Sequence, residues 1–173
     1  MRPPLLIAAL AFALPLPAMA QEVNFSPDAT LACMEKQRLP GADDTCIGES
    51  ARVCFQSIKN PSNSDIAACM AAETEYWKGR MDTAYEAMLK QAELADAEFA
   101  KNPKSKVVPF KLTEDLDLQQ QKWAEWREIR CAVEAMMRRG TPYTMTAAAS
   151  CTMKRVGEQA MFLESSVKYM QTK

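Results

Sequence analysis

The chain has 173 residues, with 21 basic and 22 acidic side chains and a formal net charge of −1; that near-neutral balance argues against nucleic acid as a partner. It contains no histidine, which removes the commonest general base, metal ligand and pH switch together and excludes Ser-His-Asp and Cys-His hydrolases. Its six cysteines include no C-x-x-C pair, so they read as three disulfides in an oxidising compartment rather than as a redox motif or a zinc site.

The first twenty residues read as a signal peptide. Arg2 supplies the basic n-region, residues 5–14 form a short apolar core, and Ala18-Met19-Ala20 is an A-x-A cleavage site. Cleavage after Ala20 leaves residues 21–173 as a single domain of 153 residues. Losing Arg2 gives 20 basic against 22 acidic residues, a net charge of −2. No later stretch is apolar and long enough to span a membrane, so no membrane insertion is expected after cleavage. The expected location is periplasmic or secreted.

Helical signals then recur along the chain. Ser26-Pro27-Asp28 predicts a helix start, with Ser as cap and Pro at the first helical position, and the helix runs over residues 27–38 until Leu39-Pro40-Gly41. Asp43 or Asp44 caps a second helix that reaches Lys59. Asn60-Pro61-Ser62-Asn63 is a turn by composition, and Ser64 caps a long third helix over residues 65–101. Its apolar positions Met70, Trp77, Met81, Tyr85, Met88, Ala92, Ala95 and Phe99 are spaced by three, four or seven. Asn102-Pro103 breaks it, and residues 107–112 form an extended connection. Thr113-Glu114-Asp115 opens a fourth helix that ends at Arg138-Arg139-Gly140, cations for the C-terminal dipole and a glycine for the stop. Thr144 or Thr146 caps a fifth helix that reaches Met170. With no alternating apolar run to make a strand, the expected fold is all-α: a compact, disulfide-stapled bundle of two short and three longer helices.

Six cysteines allow fifteen pairings, and helix geometry discriminates among them. Residues on adjacent antiparallel helices can be bridged only at similar depth from the shared turn. Cys131 lies about 13 Å before the end of the fourth helix and Cys151 about 10 Å into the fifth, at a rise of about 1.5 Å per residue. Cys54 and Cys69 each lie about one to one and a half turns from the 60–63 turn, and Cys33 and Cys46 flank residues 39–42 at similarly short depth. Nearest-neighbour pairing, Cys33–Cys46, Cys54–Cys69 and Cys131–Cys151, satisfies the test. A pairing such as Cys46 with Cys69 is the alternative.

Gln120, Trp123, Arg127 and Cys131 share one helical stripe. It reads as a core seam in which Arg127 needs a carboxylate, with Glu73 or Asp82 as candidates; a ligand carboxylate is the competing reading. Tyr76, Trp77, Tyr85, Trp123 and Trp126 read as core at this spacing beside Met and Ala, against a sugar-stacking platform. The twelve methionines read as fillers of an irregular helical core. The acidic pairs Glu73/Glu75 and Glu114/Asp115/Asp117 have nothing to place them across a cleft. No catalytic residue, metal ligand or cofactor is expected.

Gln120-x-x-Trp123-x-x-x-Arg127-x-x-x-Cys131, followed by Gly140 and Cys151 and preceded by Cys69, Trp77 and Tyr85, resembles the LprI-type lysozyme inhibitor family over residues 54–163. The family pattern is a Cys before a helix bearing Trp-Asp-x-x-Leu-Asn and Tyr, then Gln-x-x-Trp-x-x-x-Arg-Asp-x-x-Cys, a Gly-Gly turn, a last Cys and a closing helix. The chain departs from it at Lys78, Met81-Asp82, Glu128 and Thr141. The resemblance implies a non-catalytic, protein-binding module whose partner is a lysozyme-type muramidase; the alternative is an envelope interaction protein without that activity. The loops expected to make contact are residues 140–147, with Tyr143 and Thr144, and residues 102–111, with Lys104 and Lys106.

Overall fold

The computed structural model describes residues 23–37, 43–101 and 110–172. The expected signal peptide, the Leu39-Pro40-Gly41 stop, Lys104 and Lys106 all lie outside the described residues. Five α-helices follow in order: α1 (Asp28–Lys36), α2 (Glu49–Gln56), α3 (Asn63–Ala100), α4 (Leu112–Met136) and α5 (Thr144–Gln171), with a 3₁₀ turn at Asp43–Cys46. The described residues contain no strand. The fold is therefore the all-α, disulfide-stapled bundle expected, two short helices and three long ones.

The frame is the packing of α3 against α5. Trp77, Met81, Ala84 and Met88 of α3 meet Met153, Val156, Ala160 and Leu163 of α5 in one buried cluster. Burying a side chain of this size is worth about 1.5–3 kcal/mol, and Trp77 and Leu163 are fully buried. Gly157 lets α5 approach the 3₁₀ segment closely: a Cβ there would lie 2.8 Å from Cδ1 of Ile47. α4 closes an antiparallel hairpin with α5 and contributes only Leu116, Cys131 and Ala135 as buried side chains.

Several boundaries differ from expectation for local reasons. The second helix is not continuous from Asp43. It breaks into the 3₁₀ turn and α2, because Gly48 sits at φ 102° as the N-cap residue of α2. That left-handed conformation suits glycine, and it aims the Gly48 N–H at a buried carboxylate 2.8 Å away. α3 is capped by Ser62 rather than Ser64. Ser62 Oγ accepts from Asp65 N–H while Oδ2 of Asp65 accepts from Ser62 N–H, a capping box that fixes the register two residues earlier. Leu112 belongs to α4, not to an extended connection. Neither threonine caps α5; Tyr143 is its N-cap residue and offers no side-chain bond.

All three disulfides follow nearest-neighbour pairing. Cys33–Cys46 ties α1 to the 3₁₀ turn, Cys54–Cys69 ties α2 to α3, and Cys131–Cys151 ties α4 to α5, with Cα separations of 5.6, 5.7 and 5.4 Å. There are no free cysteines among the described residues.

Candidate functional site

The α1–α2–α3 junction is built on one buried acid. Glu73 is completely buried, and a lone carboxylate there would be costly without donors. It has four. Oε1 accepts from Thr30 Oγ1 at 2.9 Å, Gly48 N–H at 2.8 Å and Trp77 Nε1 at 3.0 Å, and Oε2 accepts from Ala51 N–H at 2.6 Å. Two of these donors are unpaired N–H groups at the start of α2, so the acid also meets that helix's positive end. Thr30 and Ser50 add reciprocal bonds, each backbone N–H donating to the other's hydroxyl. A shallow groove of about 600 Å³ lies on the other side of Trp77, between α3 and α5. At its edge Arg80 lies 4.7 Å from the Trp77 ring and makes a two-pronged bond to Glu164 at 2.8 and 2.6 Å.

Glu73 is thus fully committed and does not serve Arg127. Asp82 is exposed and does not serve it either. Arg127 instead lies 5.2 Å from the Trp123 ring and reaches Glu128 at 3.4 Å. The rest of its stripe is a seam. Trp123 is half-buried against the core. Gln120 accepts from Gln159 Nε2 at 2.9 Å and donates weakly to Met81 Sδ. Cys131 is bonded to Cys151. Tyr85 packs half-buried, and its hydroxyl donates to Asp117; that bond, with burial adding to it, pushes the phenol up to about 12. Trp77, Tyr85, Gln120 and Trp123 therefore fasten α3, α4 and α5 together, whereas Arg127 has both its partners, Trp123 and Glu128, on α4 itself. Trp126 is not core: it is half exposed on the outer face of α4 with Arg130 above its ring.

What the hairpin presents is its tip. α4 ends at Met136. The next residues tighten, with Arg138 N–H on Ala135 O and Arg139 N–H on Met136 O, and Gly140 turns the chain at φ 77°. The hydroxyls of Thr141 and Thr144 both donate to Arg138 O at 2.7 Å. Thr144 is therefore an internal brace of the turn rather than an offered donor. Arg138, Arg139 and Tyr143 face solvent. Arg138 and Tyr143 border an open hollow of about 320 Å³ whose other walls include Met70, Glu134 and Ser150. One rigid turn thus displays two guanidinium groups and a phenol. Among the described residues no group of His, Cys, Asp or Glu is arranged to hold a metal ion.

The family model described as "Lysozyme inhibitor LprI" matches residues 54–163, a span that runs from Cys54 through the hairpin to the buried Leu163. The chain belongs to the LprI family. It is also 33% identical over 159 residues to a Rhodobacter capsulatus protein named "Uncharacterized 17.7 kDa protein in puhA 5'region", covering 92% of this chain and 94% of that one. No solved structure matches the chain. Within the LprI span, four of the family-pattern departures, Lys78, Asp82, Glu128 and Thr141, lie on the exposed surface, whereas Met81 is buried in the core. They alter what the molecule shows to a partner more than how it packs.

The anchoring roles of Glu73 and Arg80 are not legible in the sequence, where Glu73 reads only as a candidate partner for Arg127 or as an acidic pair with Glu75. Glu73 and Trp77 are four apart on the face of α3 turned toward α1 and α2, a spacing visible in the chain. Their donors, Thr30, Gly48 and Ala51, come from distant segments that only the fold brings in.

Proposed function

We propose that this LprI-family protein is a periplasmic or secreted module that binds lysozyme-type muramidases and blocks their cleft, with no catalytic chemistry of its own. The observation that carries the reading is the hairpin tip. Muramidases of this type work with two carboxylates facing a sugar-binding cleft. Arg138 and Arg139 offer cations to such a pair, and Tyr143 offers a flat, partly apolar ring for a sugar subsite. The turn is held by the Cys131–Cys151 disulfide and by the two hydroxyls on Arg138 O, so little ordering remains to be paid for on binding.

The leader supports the location: Arg2, the apolar run over residues 5–14 and Ala18-Met19-Ala20 fit export with cleavage after Ala20, and three disulfides suit an oxidising compartment. Lys104 and Lys106 are the second proposed contact. The net charge left after cleavage is −2, so long-range steering toward a basic lysozyme is weak and affinity must come from close contacts. That same balance favours a second reading, an envelope interaction protein with another target. The test is lysozyme turnover of a cell-wall substrate with purified protein in excess. Inhibition is the expected result. Unchanged turnover, together with recovery of a defined non-lysozyme partner from periplasm, supports the second reading.

A further inference from the structure

α4 has two faces, and only one has a partner within the chain. Leu116, Gln120, Trp123, Arg127, Cys131 and Ala135 turn toward α3 and α5. On the opposite side Trp126, Ile129, Val133, Met136 and Met137 recur at steps of three and four and are each between 45% and 73% exposed. Among the described residues nothing covers them. Together these side chains leave on the order of 500 Å² of surface bare, near the upper end of what a monomer normally exposes in one patch.

The charges beside the stripe are arranged to match a second copy of the same helix. Glu125 and Arg139 lie on one flank, seven residues either side of Ala132, and Arg130 and Glu134 lie on the other flank, two residues either side of it. When two helices pack antiparallel about a two-fold axis, like flanks meet. An axis at the level of Ala132 therefore sets Arg139 level with the partner's Glu125 and Arg130 level with the partner's Glu134, each pair occurring twice. Within one copy Glu125 already pairs with Lys122 at 2.8 Å and Arg130 with Glu134 at 3.2 Å. These are exposed pairs worth little that exchange for the ones across the axis, and Arg139 gains a partner it lacked. The same register sets Trp126 beside the partner's Met137 and Ile129 beside the partner's Met136, with Val133 near the axis. Arg139 makes no ion pair or hydrogen bond through its side chain among the described residues, so its guanidinium is available. A parallel pair would instead bring the two cationic tips together.

We propose that two copies of this protein pair through the outer face of α4, antiparallel, about a two-fold axis near Ala132. Both stripes and the charged stems beside them would bury about 1,200 Å² in total, the lower end of a specific interface. A reversible dimer with a dissociation constant in the micromolar range follows. The two hairpin tips then point to opposite ends, with Arg138 and Tyr143 of each left open while Arg139 is shared with the other copy's Glu125. Pairing thus draws on one tip cation and leaves the rest of the tip to bind.

Sedimentation equilibrium of the full disulfide-bonded protein tests the proposal. Wild type is expected to show a monomer–dimer equilibrium, weakened more than about a hundredfold in I129E/V133E, where two carboxylates enter the apolar contact. The helical circular dichroism spectrum of that variant is expected to be unchanged, because both positions are exposed. A second variant, V133C, reads the geometry: Val133 faces the partner beside the axis, so oxidation is expected to join the two introduced thiols while the three native disulfides stay intact in peptide maps. A wild-type monomer at all accessible concentrations overturns the proposal, as does a dimer that survives I129E/V133E or a V133C protein that yields no cross-linked dimer. Loss of binding to anionic vesicles or to lysozyme in I129E/V133E, with wild type monomeric, would assign the stripe to that other occupant instead.

Discussion

Replacing Glu73 by glutamine tests the junction on which α1, α2 and α3 meet. The substitution keeps the shape and one acceptor oxygen, but removes the charge and turns an amide toward a backbone N–H. Oε1 now serves three donors and Oε2 one, the latter at 2.6 Å from Ala51 N. Whichever way the amide sits, at least one of these four donors faces another donor. Leaving one buried donor unsatisfied costs about 1–3 kcal/mol, and bonds to a charged acceptor are each worth about 1.5–3 kcal/mol. Losing one such bond and weakening the others gives an expected destabilisation of about 2–4 kcal/mol. For a domain of this size each kcal/mol lowers Tm by about 2–4 °C, so E73Q should melt roughly 5–15 °C below wild type. The assay is thermal unfolding followed by circular dichroism under non-reducing conditions, so that the disulfides stay closed in both proteins. Combining E73Q with T30V should cost less than the two single losses together, because both act on one network. A Tm within about 2 °C of wild type, or strict additivity with T30V, would refute the reasoning.

Three further perturbations probe other joints. Asp96 of α3 caps α4 from a distance, accepting from Leu112 N–H at 2.8 Å and Thr113 N–H at 3.1 Å; D96A should cost about 1–2 kcal/mol in urea unfolding. Burial pushes the Asp96 carboxyl up, but the bonds from Leu112 and Thr113 and the charge of Lys111 outweigh it and hold it below its ordinary value. The stability it gives is thus present above about pH 4 and lost as pH falls through its lowered folded-state value, and the D96N protein should lack that part of the acid limb. G157A should destabilise by about 1–3 kcal/mol, since the new methyl must displace Ile47, with I47A partly rescuing it. Replacing Cys131 and Cys151 by serine should cost about 3 kcal/mol, the chain-entropy value for a loop of this length, while leaving helix content nearly intact.

The helices, their order and the disulfide pairing were legible because each rests on local chemistry: 3.6-residue periodicity, Pro and Gly punctuation, and cysteines at matching depth from a turn. What failed was assigning a partner to each face. Arg127 calls for a carboxylate, and Glu73 is the buried one, yet Glu73 lies on the face of α3 turned toward α1 and α2 and is filled from there. Trp126 and four apolar neighbours have the same spacing as Trp123, but spacing marks a face without saying whether anything packs on it. Twelve methionines read as core filler, whereas Met136, Met137 and Met145 lie outside the core. Gly48 was hidden inside a helical pattern because its role depends on Glu73, 25 residues later. Of the candidate site, Tyr143 and the Gly140 turn were readable from composition; the role of Thr144 was not, since a hydroxyl can offer itself to a partner or brace its own turn.

The reading of this LprI-family chain as a lysozyme inhibitor rests on the hairpin tip, and titrating a muramidase with two proteins tests it most directly. Turnover of a cell-wall substrate is measured against increasing wild-type protein and against R138E/R139E/Y143A, whose changes lie on the exposed turn. The account predicts that wild type suppresses turnover to a limit set by stoichiometric binding, and that the triple variant, equally helical, needs at least about a hundredfold more protein for the same effect, as loss of a central cluster of Arg and Tyr contacts entails. Equal inhibition by both proteins, or none by wild type, would contradict it.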